Sequence, residues 1–233
     1  MDIKILVATH KKYIMPNESI YLPIHVGKEG KEDLGYIGDN TGDNISIKNP
    51  YYCELTALYW AWKNLNCDFI GLCHYRRYFR KPLTLKKIDI NKTTLNEKDI
   101  IRLMNKYDVV VPKRIKLNVY DEYCTYHNQK DLDNTIKIIN ELYPDYSNAC
   151  KIVMDRDYCY IFNMFIMSKD NFNNYCEWLF NILSELEKIT DISSYDTYQK
   201  RLYGFLGERL FNVWLCKHSE LKIKELRFFN LEL

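Results

Sequence analysis

Residues 49–80, NPYYCELTALYWAWKNLNCDFIGLCHYRRYFR, restrict the fold more than any other stretch. Asn49 is a good N-cap, and Pro50 suits a first helical position because its ring is pre-set for helix and no amide is lost. Leu55, Leu58, Tyr59, Trp62 and Leu65 recur at three- and four-residue spacing, which predicts the buried face of a helix ending near Asn66. The apolar run 68–73 then predicts a buried strand, whose C-terminal end delivers His74, Tyr75, Arg76 and Arg77. Two guanidiniums beside an imidazole and a phenol are costly to place at the end of a buried strand. They point to an anion site, since ligands of open α/β sheets bind beyond the carboxyl ends of the strands.

Upstream, residues 3–8 read as a buried strand, and Thr9, His10 and Lys11 leave its C-terminal end. That exit either touches a nucleotide or simply begins a solvated loop. Residues 19–26 alternate as a second, shorter strand. The loop GYIGDNTGDNIS (35–46) repeats Asp39-Asn40 and Asp43-Asn44 around Gly42, and Asx side chains favour turns. Two such pairs directly before the central helix predict either a polar pocket for ribose or sugar hydroxyls or a structural Asx loop.

Downstream, residues 81–92 are basic and irregular, and Thr94 to Glu97 has capping-box spacing that opens a helix through Lys106. A short buried strand at 107–111 ends at Pro112, with a basic loop beyond it. Residues 119–146 read as mostly helical. His127 and Asp131, four apart, fall on one helical face and either bind a hydroxyl or cap a helix. Residues 158–167, YCYIFNMFIM, predict one apolar strand with Asn163 in its middle, where a buried amide needs partners. Ser168 caps a long helix, and residues 195–218 form another with Gly204 and Gly207 allowing close backbone approach. The last stretch, 221–229, predicts an edge strand.

Composition narrows the class. In 233 residues, 47% are hydrophobic, enough for one large domain or two intimately packed halves. A net charge of +2 leaves no general nucleic-acid footprint. Eight cysteines without any C-x-x-C pair read as reduced, mostly buried thiols. There is no visible signal peptide and no apolar run long enough to span a bilayer, so the expectation is a soluble cytoplasmic protein. G-x-G-x-x-G, the P-loop, G-x-S-x-G and zinc-type clusters are all missing from the sequence. The order of elements suggests a nucleotide-binding half, about 1–115, and an acceptor half, about 116–233, within a single domain.

GDNTGDNIS, NPYYCELTALYWAWKN, FIGLCHYRRYF, NMFIM and YGFLGERLFNVWL resemble, in that order and over nearly the whole chain, the DUF4422 family of capsular and exopolysaccharide biosynthesis proteins. The resemblance implies an α/β, GT-A-like (Rossmann-like) fold with a mixed, mainly parallel sheet flanked by helices. It implies a glycosyltransferase that takes a sugar from a nucleotide sugar, a UDP-hexose or UDP-galactofuranose, and passes it to a surface-polysaccharide acceptor. Where such folds carry a metal-binding D-x-D motif, this chain has HYRR. Its own D-x-D pairs, Asp131/Asp133 and Asp155/Asp157, do not follow buried strands. Arg76 and Arg77 are therefore expected to stabilise the leaving diphosphate with no metal ligands and no cofactor, a divalent ion such as Mn2+ being the alternative.

By the same analogy Glu208 is the first candidate for general base, against a structural pair with Arg209 or Arg201, and His127 and Asp131 are the second. The expected donor-binding set is Thr9, His10, Lys11, Asp39, Asn40, Asp43, Asn44, His74, Tyr75, Arg76, Arg77 and Asn163. A glycan or lipid-linked glycan acceptor implies peripheral association with the inner membrane surface, without a transmembrane segment. The competing readings are a noncatalytic glycan-binding or scaffold subunit of a polysaccharide assembly complex, and a nucleotidyl- or phosphotransferase.

Overall fold

The computed structural model describes residues 1–82 and 89–231. Strand β1 (Ile3–Thr9) is buried along nearly its whole length, as expected of a central parallel strand covered on both faces. On one side it pairs in parallel with β2 (Tyr21–His25), which is followed by the two-residue β3 (Ile37–Gly38). On the other lies β4 (Phe69–His74), parallel to β1 in a register that sets His74 beside Ala8. A tight turn carries β4 into β5 (Arg77–Phe79). The sheet continues with β6 (Val109–Pro112), while β7 (Ile115–Lys116) and β8 (Tyr158–Cys159) form a separate two-stranded ribbon. Strand β9 (Phe165–Ser168) runs antiparallel to both β4 and β6, and β10 (Ile223–Leu226) closes that edge in parallel with β6. Finally β11 (Phe228–Asn230) returns to pair with β5. The order β10-β6-β9-β4-β1-β2-β3 is a mixed, mainly parallel sheet in one domain, as the sequence predicts, and residues on both sides of position 115 build it.

Alternation along β1 divides the interior in two. Leu6 and Ala8 point into one cluster and Ile3, Ile5 and Val7 into the other, the two-residue period of a strand. The first and larger cluster lies under α2 (Leu55–Asn64), α7 (Ser147–Asp155), α8 (Lys169–Ile189) and α9 (Leu202–Lys217). Five of the eight free cysteines are buried; Cys53, Cys124 and Cys216 are half-buried. Among the described residues no helix is long and apolar enough to cross a membrane.

Four local expectations change. The helix predicted from Asn49 to near Asn66 is two: α1 (Asn49–Tyr52) stops at Cys53, whose φ is +52°, before α2 begins. Asn49 caps no N-terminus; its amide donates to the Cys53 carbonyl (2.8 Å), which pins the break. The run 158–167 is likewise split, because Phe162 and Asn163 both take positive φ (+76° and +49°) between β8 and β9. After the short α3 (Ile90–Thr93), the capping box of α4 (Glu97–Met104) is Asn96 with Asp99, not Thr94 with Glu97; the Thr94 hydroxyl is committed to the Ile90 carbonyl. Finally α5 (Val119–Tyr126) ends at His127, and α6 (Gln129–Leu142) starts afresh from the Asn128 cap, so His127 and Asp131 do not share a helix. Part of the basic stretch 81–92, residues 83–88, lies outside the described residues.

Candidate active site

The site is built where β1 and β4 end side by side. The Tyr75 amide donates to the Ala8 carbonyl (3.2 Å), and His74 and Arg77 pair across the turn, so Tyr75 and Arg76 form its tip. The C-terminal residues brace it, the Leu231 amide donating to the Arg76 carbonyl (2.8 Å). Tyr75 is buried and lies 5.1 Å beneath the exposed Arg76 guanidinium; half-buried Arg77 lies 4.3 Å over the Phe162 ring. Among the described residues neither arginine has a carboxylate partner. His10 meets Tyr75 edge-on at 5.3 Å, and Lys11 stands over both Tyr75 and Tyr13. His74 Nε2 donates to the Phe162 carbonyl (2.7 Å), since a carbonyl only accepts.

These groups open on a cavity of about 620 Å3. Its rim adds Lys31 and Arg201 to the two arginines, and its inner wall carries two carboxylates, Glu54 and Glu208. Burial and the surrounding cations, Lys11 and Lys31 first among them, hold the His10 pKa below its ordinary value. Burial pushes the Glu208 carboxyl up to about 7; the neighbouring Glu54 charge adds to this, while Arg209 and the Phe162 amide oppose it. The arrangement puts an excess of fixed positive charge in one cavity with a carboxyl that burial pushes up to about 7. It can hold a polyanion and exchange a proton beside it.

Of the residues singled out from sequence, His10, His74, Tyr75, Arg76, Arg77 and Glu208 converge on this cavity, with Lys11 beside it. The others do not line it. The Thr9 hydroxyl is turned back on the Lys11 carbonyl (2.6 Å). Asp39 is fully buried and accepts from the Gly27 and Lys28 amides and from the Ser46 and Thr56 hydroxyls, the last two at 2.5 Å. It therefore shapes the loop that brings Val26 and Lys31 to the cavity rather than meeting a ligand. Asn40 is bonded to Glu29, Asn44 to the Gly42 carbonyl and the Ser46 amide, and Asp43 to Tyr59, with its backbone clasped by Asn64. Two Asx pairs thus build a structural loop, the alternative reading of that motif.

Asn163 is buried and donates its amide to Glu54 (2.7 Å), behind the cavity wall rather than on it. Asp131, also buried, accepts the Tyr195 hydroxyl, and burial raises its pKa. His127 is stacked on Phe205, 4.1 Å away, with its pKa lowered chiefly by burial. Glu208 does approach Arg209 (3.6 Å), but Arg209 makes its close ion pair with Glu122. Arg201 instead donates to Cys53 Sγ (3.2 Å).

Sequence reasoning missed Lys31, Glu54 and Phe162. Glu54 lay hidden inside what reads as a continuous helix, and only the break at Cys53 turns it to the cavity. Gly204 packs on that break, where an added Cβ would stand 3.0 Å from Cys53 Sγ, a contact that no local pattern announces. Among the described residues no three His, Cys, Asp or Glu side chains are grouped as metal ligands.

The solved apo structure of WbbM, a bifunctional glycosyltransferase, superposes with a TM-score of 0.94 at 38% identity over 100% of this chain. This chain spans 46% of that one. No curated protein matches. The model of a domain of unknown function, DUF4422, matches residues 4–219, and the chain belongs to that family.

Proposed function

We propose that the protein is a glycosyltransferase that moves a hexose from a nucleotide sugar, a UDP-hexose or UDP-galactofuranose, to a hydroxyl of a surface-polysaccharide acceptor. One observation carries the reading: guanidiniums without a carboxylate partner at the end of β4 line the same cavity as a carboxyl that burial pushes up to about 7. Arg76 and Arg77 hold the diphosphate, their planar forks matching its oxygens, with Lys31 and His10 on the same rim. Ionised Glu208 takes the acceptor hydroxyl proton as that oxygen bonds to the anomeric carbon. The carbon–oxygen bond to the diphosphate breaks, and the electron pair leaves on an anion already met by fixed positive charge. Stabilisation of that kind is among the largest catalytic effects. The similarity to a bifunctional glycosyltransferase supports the same reaction class. A role at the inner membrane surface follows if the acceptor is lipid-linked.

The test is a thermal-shift series with UDP, GDP and CMP, with and without Mn2+, followed by hydrolysis of a panel of sugar nucleotides. Stabilisation by a nucleotide that binds only the folded state grows as RT ln(1 + [L]/Kd). UDP is expected to raise Tm and one UDP-sugar to be cleaved. Silence toward every nucleotide would favour a noncatalytic scaffold, and strict Mn2+ dependence would overturn the guanidinium role.

A further inference from the structure

Glu208 borders a second cavity. This one, of about 260 Å3, is lined by Leu117, Val119, Ile161, Glu122, Arg209 and Asn212, and it shares with the first only Phe162 and Glu208. The two differ in charge. The first has a surplus of cations, whereas the cation of the second, Arg209, is held by Glu122 and Glu208. Asn212 offers nothing either, since its oxygen accepts from Arg156 and the Tyr160 amide and its nitrogen donates to the Tyr160 and Glu208 carbonyls. The Tyr160 hydroxyl, too, is committed to Glu225, and Cys159 adds only a buried thiol, so what remains is a small, largely apolar slot whose available acceptors are the Glu122 and Glu208 carboxylates. It would repel a phosphate and suit a neutral ring that has apolar faces and donates hydroxyls. The volume falls below the usual range for larger ligands of about 300–1,000 Å3, which suits a single ring.

The partition is a strained residue. Phe162 sits at φ +76°, followed by Asn163 at +49°, conformations that cost non-glycine residues energy and collect at functional sites. Its ring supports Arg77, its carbonyl binds His74, and its amide lies beside the Glu208 carboxyl and helps hold it ionised. We infer that the second cavity takes the sugar ring of the acceptor and that Phe162 separates it from the donor, so that Glu208, which lines both cavities, meets both substrates. The inference rests on the glycosyl-transfer reading and assigns its acceptor site.

The experiment uses the full chain, the UDP-sugar that wild type cleaves, and a panel of methyl hexosides as probe acceptors, with transfer and hydrolysis followed separately. Ile115 lies in the lining and is 37% exposed, so Ile115→Trp can fill the slot without disturbing the core. Ile115→Trp is expected to raise the methyl hexoside KM about tenfold while the donor KM moves less than about twofold. Phe162→Ala is expected to raise the ratio of hydrolysis to transfer about tenfold, because water then crosses the missing wall. An unchanged acceptor KM in Ile115→Trp, or donor hydrolysis by wild type with no transfer to any hexoside, overturns the assignment. If wild type neither binds nor cleaves any sugar nucleotide, the glycosyl-transfer reading fails and takes this inference with it.

Discussion

Arg76 is held by contact with an aromatic face and a braced backbone rather than by an opposing charge, so its side chain is available and its loss removes little packing. Arg76→Ala and Arg77→Ala should each lower kcat/KM about 100-fold, the scale of losing one preorganised charge-stabilising group, with far-UV circular dichroism unchanged. Steady-state transfer assays check this. Glu208 makes a pH-dependent prediction. Its carboxyl must be ionised to accept a proton, so kcat/KM should climb as pH passes about 7, and Glu208→Gln should lose about 100-fold or more and flatten that limb. A pH–rate profile of both proteins decides it. His127, by contrast, is packed within an aromatic stack, and its neighbour in sequence-based expectation, Asp131, is spent on Tyr195. Residue types alone could not separate these from Glu208.

Strand β4 supplies the turn at its end, and its position depends on Gly71. An added Cβ there would stand 2.8 Å from the Phe165 carbonyl oxygen and 2.7 Å from Ile5 Cδ1. Backbone cannot rotate away, so Gly71→Ala should destabilise the protein by about 1–3 kcal/mol, read from urea unfolding midpoints. The loop 35–46 depends on Asp39 in a different way. Removing its carboxylate leaves two backbone amides and the Ser46 hydroxyl without their acceptor, while the Thr56 hydroxyl keeps only the Cys53 carbonyl. Asp39→Ala should cost about 3 kcal/mol in the same measurement. It should also weaken nucleotide binding, through displacement of Lys31 rather than loss of a contact. Here the sequence announced a motif, and the tertiary structure decided that its purpose is architectural.

For the whole molecule, the raised Glu208 pKa is the cost of burying a carboxyl, with the nearby Glu54 charge adding to it. The folded protein keeps this proton up to about 7, whereas an ordinary glutamate gives it up near 4.5. Between those values the unfolded chain binds fewer protons, so this group makes stability fall as pH rises, with the full loss present above about 7. Glu208→Gln should therefore gain stability relative to wild type between pH 5 and pH 8, measured as the difference in urea midpoints. A site that is stabilised by removing its own carboxylate is one in which local stability has been exchanged for chemistry. The sheet tolerates that exchange because two hydrophobic clusters, one on each face, hold β1 and β4 in place.

The linear sequence determined the alternation of strands and helices, the burial of β1 and β4, and the emergence of His10, His74, Arg76 and Arg77 together at one edge. Apolar periodicity and the end of a parallel strand are local signals, and one chain segment carries each of them whole. Tertiary structure alone decided the carboxylate wall, the partition at Phe162 and the inward turn of Asp39. The first two depend on Cys53, Phe162 and Asn163, three residues with positive φ that are braced by contacts with distant segments, Gly204, His74 and Glu54 among them; the third depends on Gly27, Ser46 and Thr56 meeting one carboxylate. No local pattern announces a backbone conformation that its own residues disfavour.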